Sequence, residues 1–118
     1  MNWLPLITEQ QLMDIDLLSQ NDDIKAIFIL KHSTRCSISI SALGRLERSW
    51  KLSEKEVPTY FLDLLNYRGV SNAIAEHYGI SHESPQVLVI KKGKCIYVAT
   101  HSDIFSADIE EAINAEIR

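Results

Sequence analysis

Ala26-Ile27-Phe28-Ile29-Leu30-Lys31-His32-Ser33-Thr34-Arg35-Cys36-Ser37-Ile38-Ser39 is the stretch that decides how this chain folds. Its first five residues are a short, unbroken apolar run, the pattern of a strand covered on both faces. Ser33-Thr34-Arg35 interrupts the run. Ile38, Ala42, Leu46 and Trp50 then recur at helical spacing, with Leu43 beside them. A central strand therefore hands over directly to an amphipathic helix, and one cysteine sits at the junction.

Upstream, Thr8 and Gln11 stand three apart with Ile7 and Leu12 around them. This spacing predicts a capped helix from Glu9 to about Ser19, Thr8 bonding an orphan N–H and Gln11 reaching back, with the chain leaving the helix at Asn21-Asp22. Downstream, Pro58 opens a strand over Thr59 to Leu64, and Val70, Ala73, Ile74 and His77 give a helical stripe that Gly79 can end. Val87-Leu88-Val89-Ile90 reads as a third strand, Lys92-Gly93-Lys94 as a hairpin turn, and Cys95 to Ala99 as a fourth. Ser106 caps a last helix buried through Ile109, Ala112, Ile113 and Ile117. The order is α-β-α-β-α-β-β-α: an α/β, thioredoxin-like domain over residues 1–118, with a four-stranded mixed sheet and helices on both faces.

At 118 residues, the chain has the size of one domain and can bury a core without metals or disulfides. A net charge of −4, with no basic run longer than Lys91-Lys92, excludes a broad nucleic-acid-binding face. No apolar stretch is long enough to span a membrane, and Met1-Asn2-Trp3-Leu4-Pro5 carries no secretory signature. Two cysteines are too few for a disulfide framework, so a reducing, cytoplasmic location is expected.

Cys36 is the residue with chemistry to offer. The first turn of a helix has unpaired N–H groups and the positive end of the macrodipole, and both favour a thiolate. Arg35 and His32 can add positive charge. For any thiol, lowering the pKa from about 8.5 to about 6 raises the thiolate fraction at pH 7 roughly thirtyfold and cuts intrinsic nucleophilicity roughly eighteenfold, so the larger gain is a better leaving group. A dithiol mechanism needs a second cysteine three residues on, and Ser39 stands there. The pattern implies one-cysteine exchange, with Cys95 as a packed strand residue. Pro85, in His82-Glu83-Ser84-Pro85-Gln86 just before the third strand, stands where thioredoxin-like folds place a cis-proline facing the nucleophile.

Three segments resemble the monothiol bacilliredoxin (YtxJ-like) family of the thioredoxin superfamily: Lys31-His32-Ser33-Thr34-Arg35-Cys36-Ser37-Ile38-Ser39, Arg68-Gly69-Val70-Ser71-Asn72 and His82-Glu83-Ser84-Pro85-Gln86. The likeness runs through nearly the whole chain, to Thr100-His101-Ser102 and the last helix. It implies removal of bacillithiol from S-thiolated client proteins, with Cys36 taking the small thiol onto itself. Bacillithiol would then be the thiol co-substrate, with no tightly bound cofactor and no metal. The family commonly has proline after the cysteine, whereas this chain has Ser37.

Thr34, Arg35, Ser37, Ser39, His82, Ser84, Pro85 and Gln86 are the residues expected to bind substrate, with Arg68 a further cation for bacillithiol's carboxylates. Thr34 is also expected to cap the helix. Asp63 is read as an acid/base or capping group, His77 as a half-buried packing residue and His101 as a surface turn residue. No histidine–cysteine pair has zinc-ligand spacing. The alternatives are a non-catalytic binding or redox-sensing module, and a glutathione-using monothiol glutaredoxin-like protein.

Overall fold

The computed structural model describes residues 1–115. Its elements run β1 (Trp3–Pro5), α1 (Gln11–Ser19), β2 (Ile27–His32), α2 (Ser37–Ser49), β3 (Thr59–Asp63), α3 (Arg68–Tyr78), β4 (Gln86–Lys91), β5 (Lys94–Thr100), a short 3-10 turn (His101–Asp103) and α4 (Ser106–Asn114). They build one five-stranded sheet in the order β1-β3-β2-β4-β5. β3 runs parallel to β1 and β2, while β4 is antiparallel to β2 and β5 to β4. The thioredoxin-like class expected from the sequence is the class found, with five strands in place of four. β1 is the addition: Trp3, Leu4 and Pro5 pair with Thr59, Tyr60 and Phe61. Three residues are too few to show a period, and an edge strand tolerates Pro5 because its missing N–H is not needed there.

Strand alternation divides the interior in two. Phe28 and Leu30 of β2, with Val87 and Val89 of β4, face Ala42, Leu46, Ile109 and Ile113 of α2 and α4. Ile27 and Ile29, with Leu88 and Ile90, face Leu12, Ile15, Val70 and Ile74 of α1 and α3. This double burial is why β2 reads as an apolar run. The strand also continues past the run: Lys31 and His32 are buried, held by register partners Gln86 and Asp63.

Several local expectations change. α1 begins at Gln11, not Glu9, and the Thr8 hydroxyl caps nothing. Gln11 does reach back as expected: its carboxamide accepts the Thr8 N–H, and it also accepts the Ile7 N–H and donates to the Pro5 carbonyl. Phe105, with extended backbone at φ −135° and ψ 134°, is the N-cap of α4, and Ser106, expected there, is the first helical residue, its hydroxyl 2.7 Å from Ser49 Oγ. Ile117 lies outside the described residues. His77 is exposed and pairs with Asp16 across to α1. Gly79 does end α3, at φ +68°, and the hairpin turns on Lys92 and Gly93, both at positive φ. Among the described residues, no helix is long and apolar enough to cross a membrane.

Candidate active site

One end of the sheet collects the chemistry. β2 leaves it at His32, β3 at Asp63, β4 enters it at Gln86 and β5 leaves it at Thr100. The cysteine turn, the loop after β3, the loop carrying Pro85 and the His101 turn therefore converge there.

Cys36 is half-buried and is the N-cap of α2, with extended backbone at φ −107° and ψ 119°. Its N–H donates to the Ser33 carbonyl at 3.3 Å, and its carbonyl accepts the Ile40 N–H at 3.0 Å. The sulfur is thus carried on a tight turn at the exposed N–H end of a thirteen-residue helix. α2 has no side-chain cap, so the capping expected of Thr34 is absent. Thr34, Arg35 and Ser37 are exposed around the sulfur. Ile38, expected on the core stripe, is 47% exposed instead, and in that first turn of α2 it is Ser39 that faces inward.

Ser39 is fully buried. Its hydroxyl accepts the Ser33 N–H at 3.0 Å and lies 2.7 Å from His32 Nδ1. Burial holds His32 below the ordinary histidine range, against the opposing pull of Asp63 and Glu47. Position 39, where a dithiol protein keeps its second sulfur, is here the pin of the cysteine turn.

The Ser84–Pro85 peptide is cis. The Pro85 carbonyl accepts the His101 N–H at 3.0 Å, and His101 Nε2 approaches Glu83 Oε1 at 3.3 Å. His101, at φ +55°, is exposed as expected of a turn residue and also braces the proline loop. The backbone of Ser84 takes no part in the sheet ladder, and its buried hydroxyl has no partner among the described residues. Gln86 is buried and turned to the Ser81 carbonyl at 3.0 Å, so it supports the loop from below. His82 is exposed, with Nδ1 turned inward to Ser71 Oγ and Lys31 Nζ. Asp63 accepts from Asn66 Nδ2 at 2.7 Å, closing the turn after β3.

The sequence reading missed Lys31 as a buried residue and Ile38 as a surface one. The signal for Lys31 was its place directly after the apolar run, two residues on from Ile29 and so on the same face as Ile27 and Ile29.

Cys95 belongs to the other end. It pairs with Ile90, which pairs with Ile27, four residues from the Lys31–Gln86 row and thus about 13 Å along the strand, before the turn to Cys36 begins. Burial pushes its thiol pKa up, and Sγ rests 3.5 Å from the Tyr97 carbonyl.

The sequence-family model described as monothiol bacilliredoxin BrxC matches residues 5–109. A solved structure described as a candidate oxidoreductase with a thioredoxin fold superposes with a TM-score of 0.75 at 28% identity, covering 92% of this chain and 91% of that one. A thioredoxin from Malassezia sympodialis superposes at 0.69 with 16% identity, covering 95% and 88%. A thioredoxin variant from Halobacterium salinarum superposes at 0.67 with 15% identity, covering 98% and 93%. At those identities the two thioredoxins attest to the fold alone. The match across residues 5–109 settles the rest: this chain belongs to the monothiol bacilliredoxin family, thioredoxin-fold proteins of thiol–disulfide redox chemistry.

Proposed function

We propose that this protein removes bacillithiol, or a closely similar small thiol, from mixed disulfides on client proteins. The Cys36 thiolate attacks the small-thiol sulfur of the mixed disulfide. A Cys36–bacillithiol disulfide forms, the client–bacillithiol disulfide breaks, and the client leaves as its thiolate. A second small thiolate then attacks the adduct, releasing a bacillithiol disulfide and regenerating the Cys36 thiolate. Electrons and atoms balance without a second protein sulfur.

One observation carries this reading: Cys36 stands half-exposed on its helix end, while the place for a partner sulfur holds a buried, hydrogen-bonded Ser39. Supporting it, the Ser84 backbone beside cis-Pro85 is free of the ladder and suits an extended client segment. Arg35 and Arg68 offer charge to carboxylates of the small thiol, and Ile38 offers an apolar edge to the client.

The test is an intact mass after incubation with oxidised bacillithiol, with oxidised glutathione in parallel. The expected result is one bacillithiol adduct on wild-type protein, absent in Cys36→Ser and formed faster than the glutathione adduct. Equal labelling of wild type and Cys36→Ser would defeat the proposal, and a preference for glutathione would transfer it to a glutathione-using chemistry.

A further inference from the structure

Lys31 is a charged group that the exchange chemistry leaves unused. It is fully buried, at 0% exposure. Strand alternation sends Ile27 and Ile29 toward α1 and α3, and Lys31, two residues on, follows them. There Nζ donates to the Ser71 carbonyl at 3.2 Å and reaches His82 Nδ1 at 3.4 Å. Ser71 Oγ lies 3.2 Å from the same nitrogen. Among the described residues, no carboxylate lies within ion-pair distance of the ammonium. An unpaired buried cation is unfavourable, and an apolar side chain of equal length would fill the site more easily. Desolvation accordingly pushes the Lys31 pKa down to about 8.

The cluster acts on His82. Two donors converge on Nδ1, so that nitrogen is the acceptor and the ring proton belongs on Nε2. Burial and the Lys31 charge both lower the His82 pKa, which favours this neutral form. His82 in turn belongs to the irregular segment between Gly79, which closes α3, and cis-Pro85. Other ties on that segment are the Ile80 N–H bond to the Ala75 carbonyl at its start, the Gln86 bond to Ser81, the His101–Glu83 contact and the His101 bond to Pro85. Lys31, bonded to both the Ser71 carbonyl and His82, works with the Ser71 hydroxyl to fasten its middle to α3.

We propose that Lys31 is a positioning residue for client recognition: by holding His82 Nδ1 against Ser71 of α3, it fixes the 80–85 loop in the form that receives an extended client segment and turns the Nε2–H of His82 outward as a hydrogen-bond donor. The inference rests on the exchange reading above, but it concerns where the client is held and not the sulfur.

Lys31→Met keeps the stem and deletes the donors. The assay is turnover of a synthetic peptide carrying one cysteine in mixed disulfide with bacillithiol. Loss of a buried, charge-assisted hydrogen bond corresponds to a KM rise of about tenfold, with kcat within about twofold. Alkylation of Cys36 by iodoacetamide, which needs no client loop, keeps its wild-type rate. By NMR, the His82 titration midpoint moves upward and the Nε2–H tautomer loses its preference. An unchanged KM overturns the proposal whatever His82 does. A fall in iodoacetamide reactivity equal to the fall in client turnover also overturns it, since it assigns Lys31 to the sulfur. Should Lys31→Met fail to fold by circular dichroism, Ser71→Ala removes only the hydroxyl contact on Nδ1 and carries the same comparison, with an expected KM rise of about threefold. Wild-type protein that takes no bacillithiol refutes the proposed function and not the positioning role, and the glutathione mixed disulfide of the same peptide then supplies the KM comparison.

Discussion

The two cysteines occupy opposite ends of one sheet, and the ends are built differently. At the Cys36 end four strand termini open into loops, polar side chains are buried beneath them, and the sulfur rides on a helix start. At the Cys95 end the chain is closed by a tight hairpin, and the sulfur packs beside Ile90 against the α1–α3 face. In the proposed exchange the same functional group is a nucleophile in one setting and a small apolar side chain in the other. Residue identity says little about reactivity here, because backbone placement decides it.

The largest test of this contrast is deletion of each sulfur. Cys36→Ser is expected to reduce exchange with a bacillithiol mixed disulfide to the uncatalysed rate, whereas Cys95→Ser leaves it within about twofold, as befits a packing change remote from the reacting atoms. Comparable losses in both would erase the distinction. Next in size is Ser39→Cys, which puts a second thiol one helical turn from Cys36. Under oxidant, intact mass should show loss of two hydrogens, and the bacillithiol adduct should become short-lived. Ser39→Ala tests the pin itself: it strands the Ser33 N–H and unpairs His32, so a stability loss of about 1–3 kcal/mol is expected in chemical denaturation.

A smaller effect sharpens the picture of the reactive end. The Lys31 pKa is pushed down to about 8 in the folded protein, from an ordinary value near 10.5. Between those two pH values the unfolded chain binds a proton that the folded protein does not, so this residue makes stability rise with pH across that window. Below pH 8 both states are charged and the penalty of burying the ammonium is fully felt. The difference in Tm between wild type and Lys31→Met should therefore move in favour of wild type as pH climbs from 8 toward 10. A flat difference would mean that Lys31 is not desolvated. The smallest effect is expected at Cys95: its raised pKa predicts that alkylation there lags in mildly alkaline buffer and accelerates only at higher pH, read by peptide mass mapping.

Much of this arrangement was legible in the residues. The run Ala26–Leu30 announced a strand buried on both sides, and the interior bears that out because Phe28 and Leu30 meet one helical layer while Ile27 and Ile29 meet the other. The spacing from Cys36 to Ser39 pointed to one sulfur without a partner. What the pattern could not convey was how far β2 continues. Lys31 and His32 look like the polar end of a strand, yet register with Gln86 and Asp63 draws both inside. β1 escaped notice because three residues carry no period. Ile38 matched the helical stripe of Ala42 and Leu46, but periodicity does not reveal that the first turn of α2 buries Ser39 in its place. Ser39 and Gln86, expected to touch substrate, are enclosed and act on neighbouring turns. In each case a long-range partner, invisible in the local pattern, decided the outcome.

The hydroxyl of Ser39, shut away with its two partners, has a kinetic corollary. Under the proposed exchange, with no clock inside the molecule, the lifetime of a cargo on Cys36 would be set by the surrounding pool of small thiols and would shorten in proportion as that pool fills. A protein working in that way would report the redox charge of its medium through how long it stays loaded, a readout that a neighbouring sulfur would have cut short.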